Sequence, residues 1–132
     1  MNELVKTPLV KKLGIKEDMR VKLINHPENY FDLLGEPFPE FEVEETDLDF
    51  VHVFTNTEIE FKTIFKAVAN KMKPKGMIWV SWYKKTAGKP SELSGSFIRG
   101  FFRSRGWIDS KVCSVDNDWT ALKFVVSSKS KK

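Results

Sequence analysis

The sequence predicts an α/β fold, a three-layer sandwich whose mostly parallel sheet closes in an antiparallel hairpin. Short apolar runs at 19–24, 50–54 and 77–82 read as buried strands. Amphipathic helices lie among them; in the clearest, Phe61, Ile64, Phe65, Val68 and Met72 recur at spacings of three and four. Strands alternating with helices form right-handed βαβ units, which make the sheet parallel and place helices on both faces. The last strand-like runs, 112–115 and 120–126, are joined only by the tight turn Asp116-Asn117-Asp118-Trp119 and add one antiparallel strand.

The elements follow in order. Thr7-Pro8 supplies an N-cap and a first-turn proline, and Leu9, Val10 and Leu13 make a short apolar stripe that Gly14 stops. Val21, Leu23 and Ile24 mark the first buried strand. Pro27 starts a short helix through Tyr30, Phe31, Leu33 and Leu34, ended by Gly35, which puts Asn25 or His26 at its N-cap. Glu36-Pro37-Phe38-Pro39 is a turn or loop, and Phe41-Glu42-Val43-Glu44 alternates apolar and charged residues as an edge strand does. Phe50-Val51-His52-Val53-Phe54 is far more apolar and belongs mid-sheet. Thr57 and Glu60 form a capping box for the main helix, which Lys73-Pro74-Lys75-Gly76 terminates. Met77-Ile78-Trp79-Val80-Ser81-Trp82 is the third core strand, and 83–91, with Gly88 and Pro90, is a loop too polar to bury. A second amphipathic helix runs from an N-cap at Ser94 through Phe97, Ile98, Phe101 and Phe102 to Gly106, weakened by Gly100.

At 132 residues the chain forms one domain over 1–126, and the polar, basic stretch 127–132 is a flexible tail. Cys113 is the single cysteine, which excludes an internal disulfide, and no run approaches the roughly 18 apolar residues of a membrane span. The first residues lack the basic-then-apolar pattern of a secretory signal, so a soluble cytoplasmic protein is expected. Net charge is +4, but residues 23–61 hold eleven Asp or Glu and no Lys or Arg, leaving all 22 Lys and Arg against 7 acids (18 less 11) elsewhere. Such blocks either give the molecule a negative and a positive side or intermix on folding.

In a parallel sheet the ligand crevice lies beyond the carboxyl ends of the strands. That rule selects Asn25 and His26, Thr55 and Asn56, residues 81–85, and residues 116–119. Lys84 and Lys85 precede the loop Thr86-Ala87-Gly88-Lys89, where their ammonium groups either meet an anionic ligand or are merely solvated. His26 is a general base, a phosphate contact or a helix cap, and Asn25 shares that ambiguity. Trp82 and Trp119 either wall an apolar pocket or pack in the core. Asp116 and Asp118 are a carboxylate pair or plain turn residues. His52 reads as a hydrogen-bonded core histidine, Ser81 as a strand serine without the glycines of a nucleophile elbow, and Cys113 as a small buried apolar residue. Neither histidine has a partner at metal-ligand spacing, so no metal is expected. Arg99 and Arg103 share a helix face, but the acidic block argues against a continuous phosphate track, and nucleic acid is not the expected partner.

The order derived above, with Leu13-Gly14-Ile15-Lys16 leading into Met19-Arg20-Val21, Asp49-Phe50-Val51 opening a central strand and Lys73-Pro74-Lys75-Gly76-Met77 opening the next, resembles the Rossmann-like fold of the S-adenosylmethionine-dependent methyltransferases. Residues 9–21, 79–85, 112–116, Trp119 and 122–124 look like a family of small bacterial proteins of unknown function, a resemblance that implies a fold and no known reaction. Working methyltransferases end their first strand in an acidic residue and a glycine-rich turn. Overlaid without gaps, the acidic position falls on Leu23 and the glycines on Asn25 and Pro27. Proline offers no amide donor and fixes its own φ, so the usual cofactor loop is missing. The stretch between Phe41 and Phe50 is also too short for the extra strand and helix usual there.

The reading is therefore a binding protein without a cofactor rather than an enzyme. Its ligand is a small anion at the carboxyl edge of the sheet, with Asn25, His26, Asn56, Trp82, Lys84, Lys85, Asp116 and Trp119 as the candidate contacts and no catalytic residue assigned. The alternatives are a module that binds a protein partner through the acidic stretch near 40–49, and a divergent S-adenosylmethionine-dependent methyltransferase.

Overall fold

The computed structural model describes residues 8–35 and 42–126; Thr7, the turn expected at 36–39, Phe41 and the 127–132 tail lie outside them. The chain runs α1 (Leu9–Leu13), β1 (Arg20–Ile24), α2 (Tyr30–Leu34), β2 (Glu42–Val43), β3 (Leu48–Phe54), α3 (Glu58–Val68), β4 (Met72–Tyr83), α4 (Gly95–Arg103), β5 (Trp107–Ser114) and β6 (Trp119–Val126). Among the described residues six strands form one sheet in the order β2-β1-β3-β4-β6-β5. Three pairings are parallel and two antiparallel, so the sheet is mixed and less parallel than expected. The reason is that β6 runs antiparallel between β4 and β5 and so makes two antiparallel pairings.

Side chains alternate across each strand, and the two faces of the sheet make two cores. On one face α3 and α4 set Phe61, Val68, Ile98 and Phe102 against Val51, Val53, Ile78, Val80, Leu122 and Phe124. Phe102 stacks on Phe124 with ring centroids 3.9 Å apart, which fixes α4 over β6. On the other face α1 and α2 set Leu9, Val10, Leu13, Tyr30 and Leu34 against Val21, Phe50, Phe54, Trp79 and Ala121. Trp79 also donates its indole N–H to the Leu13 carbonyl at 2.8 Å, tying α1 to the sheet centre. These helix layers and the sheet between them are the expected sandwich.

Some local expectations change. The Pro27 carbonyl accepts the Tyr30 N–H at 3.0 Å, so a turn precedes α2 and its N-cap is Asn29, not Asn25 or His26. α3 stops at Val68, and Lys73-Pro74-Lys75-Gly76 forms the irregular start of β4 rather than a terminating loop. There Leu48 faces Met72 while Phe50 faces Met77, and a Cβ on Gly76 would come within 2.7 Å of the Leu48 carbonyl oxygen. Only glycine lets the two backbones approach this closely. β5 begins at Trp107 instead of Val112, because a register shift between Asp109 and Lys111 breaks the alternation that would reveal a strand. The acidic block does not stand alone: Glu44 pairs with Arg20 at 3.4 Å, Glu45 with Lys22 at 2.5 Å and Asp49 with Lys73 at 3.2 Å. β2 leads through a short loop straight into β3, with no added strand or helix. No helix among the described residues is long and apolar enough to cross a membrane, and no group of three His, Cys, Asp or Glu among them could hold a metal ion.

Candidate functional site

The polar groups at the centre of the sheet serve the core. The Tyr30 hydroxyl meets His52 Nδ1 at 2.8 Å, and His52 Nε2 meets Ser81 Oγ at 2.6 Å. All three side chains are fully buried beneath α2. Burial, with a smaller push from the charge of His26, lowers His52 to about 3, and burial raises the Tyr30 phenol far above its ordinary value. Cys113 is buried too, and desolvation raises its thiol, which disfavours the nucleophilic thiolate. Chemistry must therefore be sought at the rim.

The sheet order reverses between β1 and β3, which makes the gap beyond Ile24 and Phe54 the switch-point crevice where open α/β sheets bind ligands. Here that gap is bridged. Asn25, in a left-handed conformation with φ 59°, donates its side-chain amide to Glu60 Oε2 at 3.4 Å. The Thr55 hydroxyl donates to the other oxygen, Glu60 Oε1. The capping box is accordingly half made: Thr57 Oγ1 accepts the Glu60 N–H at 3.2 Å, but the Glu60 carboxylate turns to the crevice. His26 is exposed and sets its ring edge-on to Tyr30 and Phe31. Asn56 is a strut: its Oδ1 accepts the Tyr83 N–H and its backbone carbonyl accepts the Glu92 N–H, both at 2.8 Å.

A second opening lies after β4. The chain leaves Tyr83 through a turn ending at Gly88, and the N-terminus of α4 returns beside it, enclosing a cleft of about 490 Å³. Lys84, Lys85, Lys89 and Arg99 line this cleft and, among the described residues, no carboxylate does. Lys89 pairs with Asp118 at 3.0 Å outside it, and Arg99 leans on Asp109 at 3.3 Å, a carboxylate that Arg103 shares at 3.0 Å. The Lys84 ammonium donates to Ser114 Oγ at 2.7 Å, and Lys85 is exposed with no hydrogen bond or ion pair to the described residues. Two of the four cations thus lack a carboxylate.

The remaining candidates separate. β4 and β6 pair Trp82 with Thr120 and Tyr83 with Trp119, so the two tryptophans lie on opposite faces of the sheet and do not wall one pocket. Trp82 borders the cleft; Trp119 packs on Phe54 and Tyr83, with ring centroids 4.9 and 4.4 Å away. Asp116 Oδ1 accepts the N–H groups of Asp118 and Trp119 at 2.8 and 2.9 Å and so builds the turn before β6. The structure brings together Trp82, Lys84 and Lys85, and places Asn25 and His26 at the bridged crevice. Sequence reasoning does not single out Lys89 or Arg99 for the cleft. The available signal was Arg99 four residues after Gly95, a spacing that returns the guanidinium over the first turn of α4, where Nη1 stands 3.1 Å from the place of a Gly95 Cβ.

No family profile and no curated protein matches the chain. Solved structures match it in shape. A SAM dependent methyltransferase from Aquifex aeolicus superposes with a TM-score of 0.61 at 14% identity, covering 89% of this chain and 87% of that one. The 1,6-didemethyltoxoflavin-N1-methyltransferase of Burkholderia thailandensis, solved with bound 1,6-didemethyltoxoflavin and S-adenosylhomocysteine, gives 0.54 at 11% identity over 91% of this chain and 75% of that one. The fold is that of the S-adenosylmethionine-dependent methyltransferases. A candidate type 11 methyltransferase from Sulfolobus solfataricus gives 0.52 at 16% identity over 67% of this chain, which spans only 57% of that one.

The fold raises the question of its usual cofactor, and the residues present do not fit it. The switch-point crevice is bridged by the Glu60 carboxylate, and Pro27 stands where a glycine would admit the cofactor to the backbone. The cleft after β4 is open, but the uncompensated charges of Lys84 and Lys85 repel a sulfonium.

Proposed function

We propose that this chain binds a small anionic ligand on a methyltransferase-type fold, in the cleft between the end of β4 and the start of α4. One observation carries the reading: a cleft of about 490 Å³ at the carboxyl edge of the sheet, lined among the described residues by four cationic side chains and no carboxylate. Its volume lies within the range of about 300–1,000 Å³ usual for small-molecule sites. Lys84 and Lys85 supply the uncompensated charge, Trp82 an apolar wall, and the α4 N-terminus a positive dipole end. Asn56 and Asp116 hold the strand ends and turn in place, and Asn25, His26 and Trp119 lie outside the cleft. The test is calorimetric titration with inorganic phosphate, sulfate, small carboxylates and phenyl phosphate at fixed ionic strength. Binding that weakens at least tenfold in Lys85→Ala supports the reading, and a protein that takes up none of these anions refutes it.

A second reading, a divergent S-adenosylmethionine-dependent methyltransferase, is favoured by the sheet order and by the solved structures that share it. It requires Glu60 to release Asn25 and Thr55. Titration of S-adenosylmethionine into the wild type and into Glu60→Ala separates the readings. Submicromolar uptake by the wild type makes the second reading the better one.

A further inference from the structure

We infer that the ligand of the cleft is a phosphate monoester, and not a carboxylate or a bare inorganic anion; this rests on the anion-binding reading above and names the class within it. Charge gives the first constraint. Of the four cations, Lys89 is answered by Asp118 and Arg99 by Asp109, while Lys84 meets only the Ser114 hydroxyl and Lys85 meets nothing polar among the described residues. An excess of two positive charges suits a dianion, and a phosphate monoester carries about −1.5 to −2 near neutrality.

Donor geometry gives the second constraint. A carboxylate is recognised best by the planar fork of an arginine, and Asp109 takes the Arg99 Nε at 3.3 Å, which breaks the side edge of that fork and leaves only its Nη groups toward the cleft. Beside them stand two ammonium point charges and the hydroxyls of Ser91, Ser94 and Ser96 around the opening of α4. The Ser94 hydroxyl already accepts the Phe97 N–H at 3.2 Å and keeps its own proton free to donate. Point charges and rotating hydroxyls serve a tetrahedral group with three acceptor oxygens better than a flat group with two.

Size gives the third. A cleft of about 490 Å³ equals the liquid volume of roughly sixteen waters, far more than one tetrahedral anion fills. Beyond the lysines its apolar lining is the half-buried Tyr83 together with the edges of Trp82, 8% exposed, and Leu93, 6% exposed. These are surfaces for an organic body, so the phosphate is carried on one.

Phenyl phosphate is the probe, compared by calorimetry with inorganic phosphate and with the dianion succinate at fixed ionic strength. The expected result is that phenyl phosphate binds at least tenfold more tightly than either, and that Lys85→Ala loses at least tenfold while Lys123→Ala, on the opposite face, loses nothing. Lys85 has no partner among the described residues, so its replacement should leave folding intact, which circular dichroism verifies; Lys85→Glu, which reverses the charge, should abolish binding. Succinate binding as tightly as phenyl phosphate overturns the phosphate class and leaves the anion reading standing. Phenyl phosphate binding undiminished in both Lys85 variants overturns the placement. If none of the three binds, the anion reading itself falls.

Discussion

Lowering the pH should destabilise this protein through His52. The imidazole is fully buried with both ring nitrogens engaged, Nδ1 by Tyr30 and Nε2 by Ser81, and burial lowers it to about 3. In the unfolded chain it returns to about 6.5. The folded pKa is the lower one, so the unfolded state takes up the proton first. Stability is therefore whole above pH 6.5, falls as the pH drops through the window, and reaches its floor below about 3. At 1.36 kcal/mol per pH unit, going from pH 7.5 to 4.5 removes about 2 to 3 kcal/mol through this one residue. Carboxylates titrate over part of the same range, so the measurement must be a difference. Urea unfolding of wild type and of His52→Gln, which keeps a donor and an acceptor but does not titrate, is followed at half-unit intervals. The wild type should lose about 2 to 3 kcal/mol more than the variant between those limits. Parallel pH profiles for the two proteins would refute the reasoning.

Other outcomes follow from the same geometry. Tyr30→Phe and Ser81→Ala each strand one imidazole nitrogen in the core and should cost about 1–3 kcal/mol by denaturant titration, whereas a loss below about 0.5 would mean the buried chain contributes little. Gly76→Ala drives a Cβ to within 2.7 Å of the Leu48 carbonyl and should lower stability by about 1–3 kcal/mol; a neutral melting temperature would contradict the close approach of β3 and β4. Asp116→Ala removes two hydrogen bonds from the turn before β6 and should cost about 1–2 kcal/mol, while anion affinity stays unchanged; weakened affinity in the folded variant would put Asp116 in the site.

The core was legible because it is local and periodic. Phe50 to Phe54 and Met77 to Trp82 announce buried strands, and Thr57 with the apolar positions after it announces α3. The polar core could be read as well: His52 among valines and phenylalanines has little alternative to a hydrogen-bonded place inside. Irregular backbone was not legible. Pro74 and Gly76 look like punctuation, yet they shape the bulged start of β4, and the register shift at Asp109 and Lys111 disguises half of β5. The site was legible in part. The carboxyl-edge rule finds Lys84 and Lys85, which do line a cleft. It cannot tell which face each side chain takes, and counting residues along paired strands separates Trp82 from Trp119 only once their register is known. Nor can it reveal that Glu60 reaches across to Asn25, or that Asp109 occupies Arg99, since both depend on distant elements meeting.

The outermost strands have a bearing on how the molecule behaves in a crowd. At the margin away from β2, β5 offers eight residues but kinks between Asp109 and Lys111 and sets Lys111 directly across from Lys123. An incoming strand would find a crooked rail and two like charges beside it. The protein can thus leave Ile108 and Val112 bare on that margin without inviting endless stacking of one sheet upon the next.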